Sequence, residues 1–383
     1  MPGNDPVPAA RFSDWEGWLR AREGRFRTRW SAGNRIEILA GAKEFIPRML
    51  ASISGSRRSV AYQFFGIEAD AGGIPFGSAL IDAAKRGVTT NVILDSVELF
   101  LRTNGRWSFF PVGRPAEVTR ERRDTQELLR AMEGAGVGLF RYGWKYLLNR
   151  NHSKSLVVDD EFLFVGGFNP TEHNSVWHEI CAAVTGPIVA DGLDQFNEVF
   201  RWSGQEPIPA RVTDSNDRSS AGIEVTAGLL TNVPRQGRFE LTDFLLEAIG
   251  AARTSIRIEN GYVGHRRIFE QLIEAKKRGV ETVQIVAPAK SNHSSVDRLL
   301  RKWAPLLLKH GVEIYLYPRM THAKLMLVDD LLVTIGSANF ESFSLRMNNE
   351  LNLVALDPTG ALAAEVLVRV FQPDMAESEP VRS

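Results

Sequence analysis

Hydrophobic positions recur along this chain in two parallel series. In the first series the apolar spacing predicts a helix, a strand, a helix and a strand, over residues 45–54, 59–65, 76–85 and 89–94. The second series predicts the same order over residues 242–251, 255–258, 268–277 and 282–286. A basic last turn followed by Gly87 or Gly279 indicates where the second helix of each series ends. Strands that alternate with helices predict an α/β fold class.

Each series continues into three further predicted strands. They cover residues 136–141, 154–158 and 162–165, and then 311–317, 324–328 and 332–335. We therefore predict two pseudo-symmetric α/β sandwich halves with the active site at their interface. The predicted organisation is an N-terminal basic and aromatic segment, a first half, a polar linker, a second half and a frayed tail, at 1–33, 34–203, 204–221, 222–372 and 373–383.

A polar pattern repeats together with the hydrophobic one. The spacing HxKxxxxD occurs twice, as His152-Lys154-Asp159 and as His322-Lys324-Asp329. A glycine, an asparagine and a glutamate follow each copy at nearly equal distances: Gly166, Asn169 and Glu179, then Gly336, Asn339 and Glu350. Polar residues that stay in register across two copies indicate one active site assembled from both halves.

The repeated residue types suit phosphoryl chemistry. Strand alternation sends the histidine and lysine of each motif to one face. One histidine can form a covalent intermediate with phosphorus, and the other can protonate the leaving oxygen. Two lysines and two asparagines can hold the non-bridging phosphoryl oxygens. Glu179 and Glu350 are candidates for the carboxylate that binds the far nitrogen of each imidazole. No metal is needed for this set, because the lysines supply the charge.

At these residues the chain resembles the phospholipase D superfamily, whose signature is the duplicated HxKxxxxD followed by GG or GS-x-N. The resemblance is closest to bacterial cardiolipin synthases and related phosphatidyltransferases, and it extends over about residues 34–372. It implies a phosphohistidine enzyme without a metal cofactor, in which His152 is the nucleophile and His322 the acid and base. It also implies a substrate-binding role for the residues of the GG/GS-x-N signature: Gly167, Asn169, Ser337 and Asn339.

Two groups of residues admit a second interpretation. Asp159 and Asp329 each precede another aspartate at a predicted hairpin, where aspartate is favoured as a turn former. A structural role therefore stands beside the catalytic one. His173 and His178 lie near Glu179 and suggest a metal cluster, although a surface or substrate-proximal role is favoured.

Composition narrows the class of partner. Lysine plus arginine and aspartate plus glutamate both number 46, so the chain lacks the basic field that is typical of nucleic-acid binders. Cys181 is the only cysteine, which excludes an intramolecular disulfide framework and a cysteine-rich zinc site. The first ten residues do not read as a signal peptide, and no apolar run is long enough to span a bilayer. We expect a phospholipid substrate, no cofactor, and a location in the cytoplasm and at the inner face of the cell membrane, with the oligomeric state left open.

Three stretches bear on the substrate. Residues 11–30 carry six arginines and three acids among aromatic residues, which predicts either an anionic membrane contact or a helix docked on its own domain. An insertion near residues 96–123, with Trp107, Phe109 and Phe110, suggests a lid or an acyl-chain contact. Residues 142–151 suit a lipid phosphate or ordinary surface packing. The predicted function is phosphatidyl transfer between membrane phospholipids, and the alternatives are a phospholipase D hydrolase and a nuclease or phosphodiesterase with the same histidine dyad.

Overall fold

The fold comes from a computed structural model that describes residues 14–95, 102–103, 106–107, 116–143, 149–209 and 221–382. For residues 102–103, 106–107 and 116–118 the structure describes the backbone alone. Phe109 and Phe110 of the predicted lid lie outside the described residues, as do residues 144–148 and most of the predicted linker.

The described elements include a helix or strand at every place that the hydrophobic pattern predicts. The helices are α1 (Trp15–Arg20), α2 (Glu23–Phe26), α3 (Ala42–Gly55), α4 (Ile74–Lys85), α5 (Ala116–Gly134), α6 (Glu172–Ser175), α7 (Ile188–Phe200), α8 (Glu240–Ala251), α9 (Arg266–Lys277), α10 (Ser294–Lys309), α11 (Ser342–Met347), α12 (Ala361–Val366) and α13 (Gln372–Glu377). The strands are β1 (Ser31–Ala40), β2 (Ser59–Phe64), β3 (Thr89–Asp95), β4 (Arg102–Thr103), β5 (Arg106–Trp107), β6 (Gly138–Tyr142), β7 (Ser155–Val158), β8 (Phe162–Gly166), β9 (Ile180–Thr185), β10 (Ile223–Asn232), β11 (Ser255–Asn260), β12 (Thr282–Pro288), β13 (Glu313–Tyr317), β14 (Lys324–Val328), β15 (Leu332–Gly336), β16 (Glu350–Leu356) and β17 (Glu379–Pro380).

Most of the strands form one sheet whose order displays the internal repeat. The order is β17-β13-β12-β11-β14-β15-β16-β10-β1-β9-β8-β7-β2-β3-β6. The antiparallel pair β1 and β10 lies at the centre, and the strands on either side of it correspond in sequence and direction. In each half the motif strand pairs antiparallel with two neighbours, β7 with β2 and β8, and β14 with β11 and β15. The predicted pair of pseudo-symmetric α/β halves is confirmed.

A shared hydrophobic core joins the halves. Val157 and Val165 of the first half belong to the same buried cluster as Leu325 and Leu353 of the second. Two further clusters lie under the helices of one half each. Apolar burial of this extent is the dominant favourable contribution to folding, so the core fixes how the two motif strands face each other.

The aromatic N-terminal segment packs on the second half. Trp15, Leu19 and Phe26 are buried in that half's core, and the Phe26 ring lies 5.3 Å from the ring of Phe244. The Trp15 indole donates a hydrogen bond to Asp329. Of the two interpretations of residues 11–30, the structure supports the docked helix for residues 14–30, because the large apolar side chains are not available to a bilayer.

The frayed tail predicted for residues 373–383 is wrong up to residue 382. Helix α13 follows a π-helical stretch, Leu367–Phe371, and β17 then pairs with the edge strand β13. Val370 and Phe371 are buried, and this burial anchors the segment. The short run of polar residues at the end of the sequence did not reveal it.

The structure places Asp159 and Asp329 away from the motif histidines. Each lies at the far end of its motif strand, about 16 Å from the motif lysine at the usual rise of a strand. Each opens a hairpin in which both aspartates have positive φ, 57° and 57° in the first and 56° and 54° in the second. The catalytic role predicted for the two residues is therefore wrong.

Hydrogen bonds give these aspartates a structural role. The Asp159 carboxylate accepts the backbone N–H groups of Arg57, Arg58 and Ser59 at 2.8, 2.7 and 2.9 Å. Asp329 accepts the equivalent groups at the start of β11. Buried N–H groups need partners, so each aspartate clamps the motif strand to the strand beside it.

We expect Asp159→Asn to lower stability and leave chemistry intact. The amide keeps one acceptor oxygen and tolerates positive φ, but it loses charge-assisted hydrogen bonds, at a cost of about 1–3 kcal/mol. Urea unfolding followed by circular dichroism measures the loss, with Asp82→Asn on the exposed face of α4 as the control. Unchanged stability together with lost turnover would return Asp159 to the catalytic set.

Candidate active site

The two motif histidines and lysines lie at equivalent places, just before and at the start of β7 and β14. His152, Lys154, His322 and Lys324 are 8%, 3%, 5% and 1% exposed. Each lysine donates a hydrogen bond to the carbonyl oxygen of the histidine two residues before it, at 2.7 Å from Lys154 and 2.6 Å from Lys324. This contact turns each ammonium group back towards its own imidazole, so histidine and lysine act on the same side of the strand.

Backbone hydrogen bonds cross between the halves at both motifs. The His152 N–H donates to the Asn349 carbonyl at 2.9 Å, and the Asn349 N–H donates to Arg150 at 2.7 Å. In the equivalent pair, the His322 N–H donates to the His178 carbonyl at 2.6 Å. Each motif is thus attached to the segment that precedes the glutamate of the other half.

This crossing pairs each imidazole with the carboxylate of the opposite half. His152 Nδ1 lies 2.9 Å and 3.0 Å from the two carboxylate oxygens of Glu350. His322 Nδ1 lies 2.7 Å from Glu179 Oε2. Since a carboxylate accepts, each Nδ1 carries the hydrogen, and the other ring nitrogen, Nε2, is left to face the reacting group. One site is therefore built from both halves.

The two carboxylates differ in their other partners. The hydroxyl groups of Ser337 and Ser344 both donate to Glu350. Burial alone would raise the pKa of Glu350, but the nearby His152 and Lys154 and the Ser337 hydroxyl hold that pKa below its usual value. The position equivalent to Ser337 is Gly167, which has no hydroxyl to offer. Glu350 is therefore held ionised.

Glu179 lies in a different environment. Besides His322, its carboxylate accepts the Ile180 N–H at 3.1 Å. Burial raises the pKa of Glu179 to about 7, against the opposing effect of Lys324. A Cβ atom at Gly167 would lie 2.5 Å from Glu179 Oε2 and 2.9 Å from the Lys324 side chain. Glycine is therefore required for Glu179 and Lys324 to approach this closely.

Burial also changes the pKa values of the basic groups. It lowers the pKa of His152 to about 4, despite the opposing charge of Glu350, with a further contribution from both motif lysines. The same cause lowers the pKa of Lys324 to about 8, although Glu179 and Glu350 oppose it. At neutral pH His152 is a neutral imidazole beside an ionised carboxylate, which is the state that a nucleophile needs.

Aromatic side chains line the histidines. The ring of Phe65 lies 4.9 Å from that of His152, and the Lys154 ammonium lies 5.3 Å from the Phe65 ring centre. The rings of Trp177 and Tyr262 lie 5.0 Å and 6.0 Å from that of His322. These walls reduce contact with water, which strengthens the electrostatic interactions inside the site.

The residues of the GG/GS-x-N signature support the site in ways that the sequence did not indicate. Ser337 is fully buried behind Glu350, so the substrate-binding role predicted for it is replaced by support of that carboxylate. Asn169 accepts the Phe65 N–H at 3.0 Å with its side-chain oxygen and so fixes the end of β2. The buried side-chain oxygen of Asn339 accepts no hydrogen bond among the described residues. Direct substrate contact stays a prediction for the two asparagines.

Two features of the site escaped prediction. Ser344 follows the second HxKxxxxD motif in the sequence, but only the fold shows that its hydroxyl reaches Glu350. Arg150 and Asp95 form a buried bidentate ion pair with both contacts at 2.8 Å, and the guanidinium lies 4.8 Å from the Phe65 ring centre. An arginine two residues before the motif histidine was the available signal, but its partner is 55 residues distant in sequence.

Comparisons with known proteins agree with this geometry. A family described as cardiolipin synthase, PLD-like domain, matches residues 51–202 and 245–374. Cardiolipin synthase A of Pseudomonas syringae pv. syringae (strain B728a) is 27% identical over 93% of this chain and 72% of its own length. Cardiolipin synthase A of Pseudomonas fluorescens (strain SBW25) is 29% identical over 95% of this chain and 74% of its own length.

Solved structures show the same fold. The crystal structure of phosphatidylserine synthase from Haemophilus influenzae Rd KW20 aligns with a TM-score of 0.68 at 15% identity, over 94% of this chain and 91% of that one. Polyphosphate kinase from Porphyromonas gingivalis aligns with a TM-score of 0.54 at 16% identity, over 97% of this chain and 51% of that one. The predicted phosphatidyltransferase class is confirmed by the family match and the curated relatives, and the chain belongs to the cardiolipin synthase, PLD-like domain family of the phospholipase D superfamily.

Proposed function

We propose that this chain transfers a phosphatidyl group from one membrane phospholipid to the alcohol of another, through a phosphohistidine intermediate on His152. The supporting observation is the pair of imidazoles, each held by the buried carboxylate of the opposite half, beside two buried lysines. The family and the names of the relatives make a glycerol head group the first choice of acceptor, with cardiolipin as the product.

The first step breaks the bond between phosphorus and the leaving head group. The lone pair of His152 Nε2 attacks phosphorus, and His322 gives a proton to the departing alcohol oxygen. The products are a phosphatidyl group bound to His152 and a free alcohol. Glu350 stabilises the positive charge that develops on His152, because it is ionised and in contact with Nδ1.

The second step reverses the roles of bond making and bond breaking. His322, now neutral, removes the proton from the hydroxyl of a second lipid. The alcohol oxygen attacks phosphorus, and the bond to His152 Nε2 breaks, which restores the neutral imidazole. Lys154 and Lys324 hold the non-bridging oxygens through both steps, since negative charge grows on them in each transition state.

Transfer has to compete with hydrolysis, because water is the smallest acceptor. The aromatic walls at Phe65, Trp177 and Tyr262 leave little room for loosely held water beside the histidines. A lipid alcohol that is positioned by its own apolar stem gains the advantage of an intramolecular reaction. These walls favour transfer as the outcome of the shared intermediate.

We also propose that the site opens towards an anionic membrane surface. Val176 is 80% and Phe343 50% exposed, and each lies within a few residues of a site group, Trp177 and Ser344. The exposed Arg346 lies on the same short helix as Phe343. Apolar tips with basic neighbours suit an interface with anionic lipid. None of the described helices is long and apolar enough to cross a bilayer.

The reaction is tested with purified protein and vesicles of phosphatidylglycerol. We expect thin-layer chromatography to show cardiolipin, and we expect His152→Ala and His322→Ala to abolish it. Lys154→Ala should cost about a hundredfold or more, as for other lost charges in preorganised sites. Mass spectrometry after acid quenching should find the phosphatidyl adduct on His152.

The half-buried residue His310, at the end of α10, supplies the matched control, since His310→Ala should leave the rate unchanged. Release of phosphatidic acid alone, with abundant glycerol head groups present, would make the protein a hydrolase. Cleavage of plasmid DNA without any action on lipid would leave only the histidine chemistry standing.

The pH dependence of kcat/KM should be bell-shaped. Activity rises as the pH increases through the pKa of His152, about 4, because only the neutral imidazole attacks phosphorus. It falls as the pH increases through the pKa of Lys324, about 8, because the ammonium loses its charge. Arginine stays protonated, so Lys324→Arg should move the alkaline limb to higher pH even if the rate is lower. An alkaline limb that stays in place would assign it to another group.

Membrane contact can be separated from chemistry by changing the physical state of the substrate. The double change Val176→Asp and Phe343→Asp removes apolar contacts with the bilayer. Burial of each side chain contributes about 1.5–3 kcal/mol to the free energy of membrane binding. We expect activity on vesicles to fall about tenfold or more and activity on a monomeric short-chain phospholipid to stay within about twofold. Val368→Asp, on the π-helical stretch, is the control. Equal losses on both substrates would contradict a role in membrane contact.

A further inference from the structure

A second polar cluster lies beside the catalytic set, on the side of His322. It consists of His178, Glu259 and Asp374, each of which offers one ligand atom, and these atoms all lie within 4.8 Å of one another. Glu259 is 0% and Asp374 3% exposed, while the His178 side chain is 23% exposed. The three residues come from the loop before β9, from β11 and from α13, so the cluster joins three separate parts of the fold.

The atoms that face each other in this cluster make no hydrogen bond among the described residues. His178 Nε2 lies 2.6 Å from Asp374 Oδ2 and 3.9 Å from Glu259 Oε1, and neither His178 Nε2 nor Asp374 Oδ2 has a hydrogen-bond partner among the described residues. Glu259 Oε1 accepts the Thr321 hydroxyl at 2.6 Å, but the buried Glu259 Oε2 accepts nothing. Buried polar atoms are nearly always satisfied, so three such atoms that converge on one point indicate a missing partner.

The charge of the cluster identifies the kind of partner. The cluster holds two buried carboxyl groups beside one imidazole, and burying carboxylate charge without compensation is costly. One divalent cation would neutralise the set.

The pseudo-symmetric position in the other half provides an internal comparison. Gln63 of β2 corresponds to Glu259 of β11, and the bridges Asn151–Asn349 and Thr321–His178 correspond to each other. The place around Gln63 and the Asn151–Asn349 bridge therefore carries neutral amides. The equivalent place around Glu259 carries two of the three ligand groups. The shared phosphoryl chemistry does not need the charged cluster, since one half of the site lacks it.

We propose that His178, Glu259 and Asp374 bind a divalent transition-metal ion, Zn²⁺ or Mn²⁺. One imidazole and two carboxylates form a mixed nitrogen and oxygen set, which suits these ions better than Mg²⁺ or Ca²⁺. The partly exposed His178 leaves a side open for a water ligand and for entry of the ion. The ion fastens α13 to the loop that carries Glu179, so it positions the Glu179–His322 pair from outside the reaction centre.

This site does not rest on the proposed function, and its test does not need turnover. The full chain is stripped with EDTA, dialysed, and titrated with Zn²⁺, Mn²⁺ or Mg²⁺, and metal content and thermal unfolding are measured. We expect one equivalent of Zn²⁺ or Mn²⁺ per chain and a rise in Tm of about 3 °C at a metal concentration a hundredfold above Kd. Mg²⁺ should give neither.

Variants locate the ion. Asp374→Asn and Glu259→Gln should each lower the affinity at least about tenfold, and His178→Ala should do the same. His173→Ala is the matched control, because His173 lies 3.3 Å from one carboxylate, that of Glu68, and should keep full metal binding. If one variant does not fold, the others and the wild-type titration still decide.

Two results would overturn the proposal. The first is wild-type protein that binds no Zn²⁺ or Mn²⁺ and shows no shift in Tm. The second is binding that persists unchanged in Glu259→Gln and Asp374→Asn, which would place the ion elsewhere. A stripped Glu259→Gln variant that is more stable than stripped wild type, without any metal uptake by wild type, would mean that the two carboxyl groups share a proton instead.

Discussion

The hydrogen bond between each motif imidazole and the carboxylate of the opposite half is the interaction on which the rest of the structure depends. It joins His152 to Glu350 and His322 to Glu179 at 2.7–3.0 Å, in a place where all four side chains are almost completely buried. A buried carboxylate without its partner is strongly destabilising. If the halves separated, both carboxylates would lose their imidazole partners. The shared core and the two hydrogen-bonded pairs therefore require the same arrangement of the halves.

The two pairs are symmetric in position but not in environment. His152, Lys154 and the Ser337 hydroxyl hold the pKa of Glu350 below its usual value, while Gly167 leaves room for Glu179 and Lys324 to approach. That difference fits a division of labour in which His152 attacks phosphorus and His322 moves the proton. The cluster of His178, Glu259 and Asp374 adds to this difference, because the equivalent place in the other half carries neutral amides. The two copies therefore share one framework and differ in single residues around each histidine.

Much of the fold follows from local signals in the sequence. The period of the apolar residues located the strands and helices of both halves, because each copy had to bury the same faces. The central pair β1 and β10 and the helix α5 were not identified, and neither was the helical end of the chain. Their positions depend on contacts with distant residues, as in the burial of Phe371 and the pairing of β17 with β13.

The site was predictable in its members but not in its pairing. Spacing identified the histidines, the lysines and the two glutamates, whereas nothing in one strand indicates that Glu350 serves His152 across the interface. For Asp159 and Asp329 the sequence pattern suggested a role in catalysis that the structure does not support. Repetition in register suggested chemistry, but the repeated requirement is a carboxylate that satisfies three backbone N–H groups at a tight hairpin. A repeated polar residue can therefore report a repeated backbone geometry.

Nuclear magnetic resonance of protein with ¹⁵N-labelled histidine rings can show whether each imidazole is oriented by the carboxylate of the opposite half. At pH 7 we expect His152 to carry its hydrogen on Nδ1 and to have an unprotonated Nε2. We also expect Glu350→Gln to change the His152 signals and Glu179→Gln to change those of His322. A His152 ring protonated on Nε2, or signals that respond to the glutamate of their own half instead, would contradict this orientation.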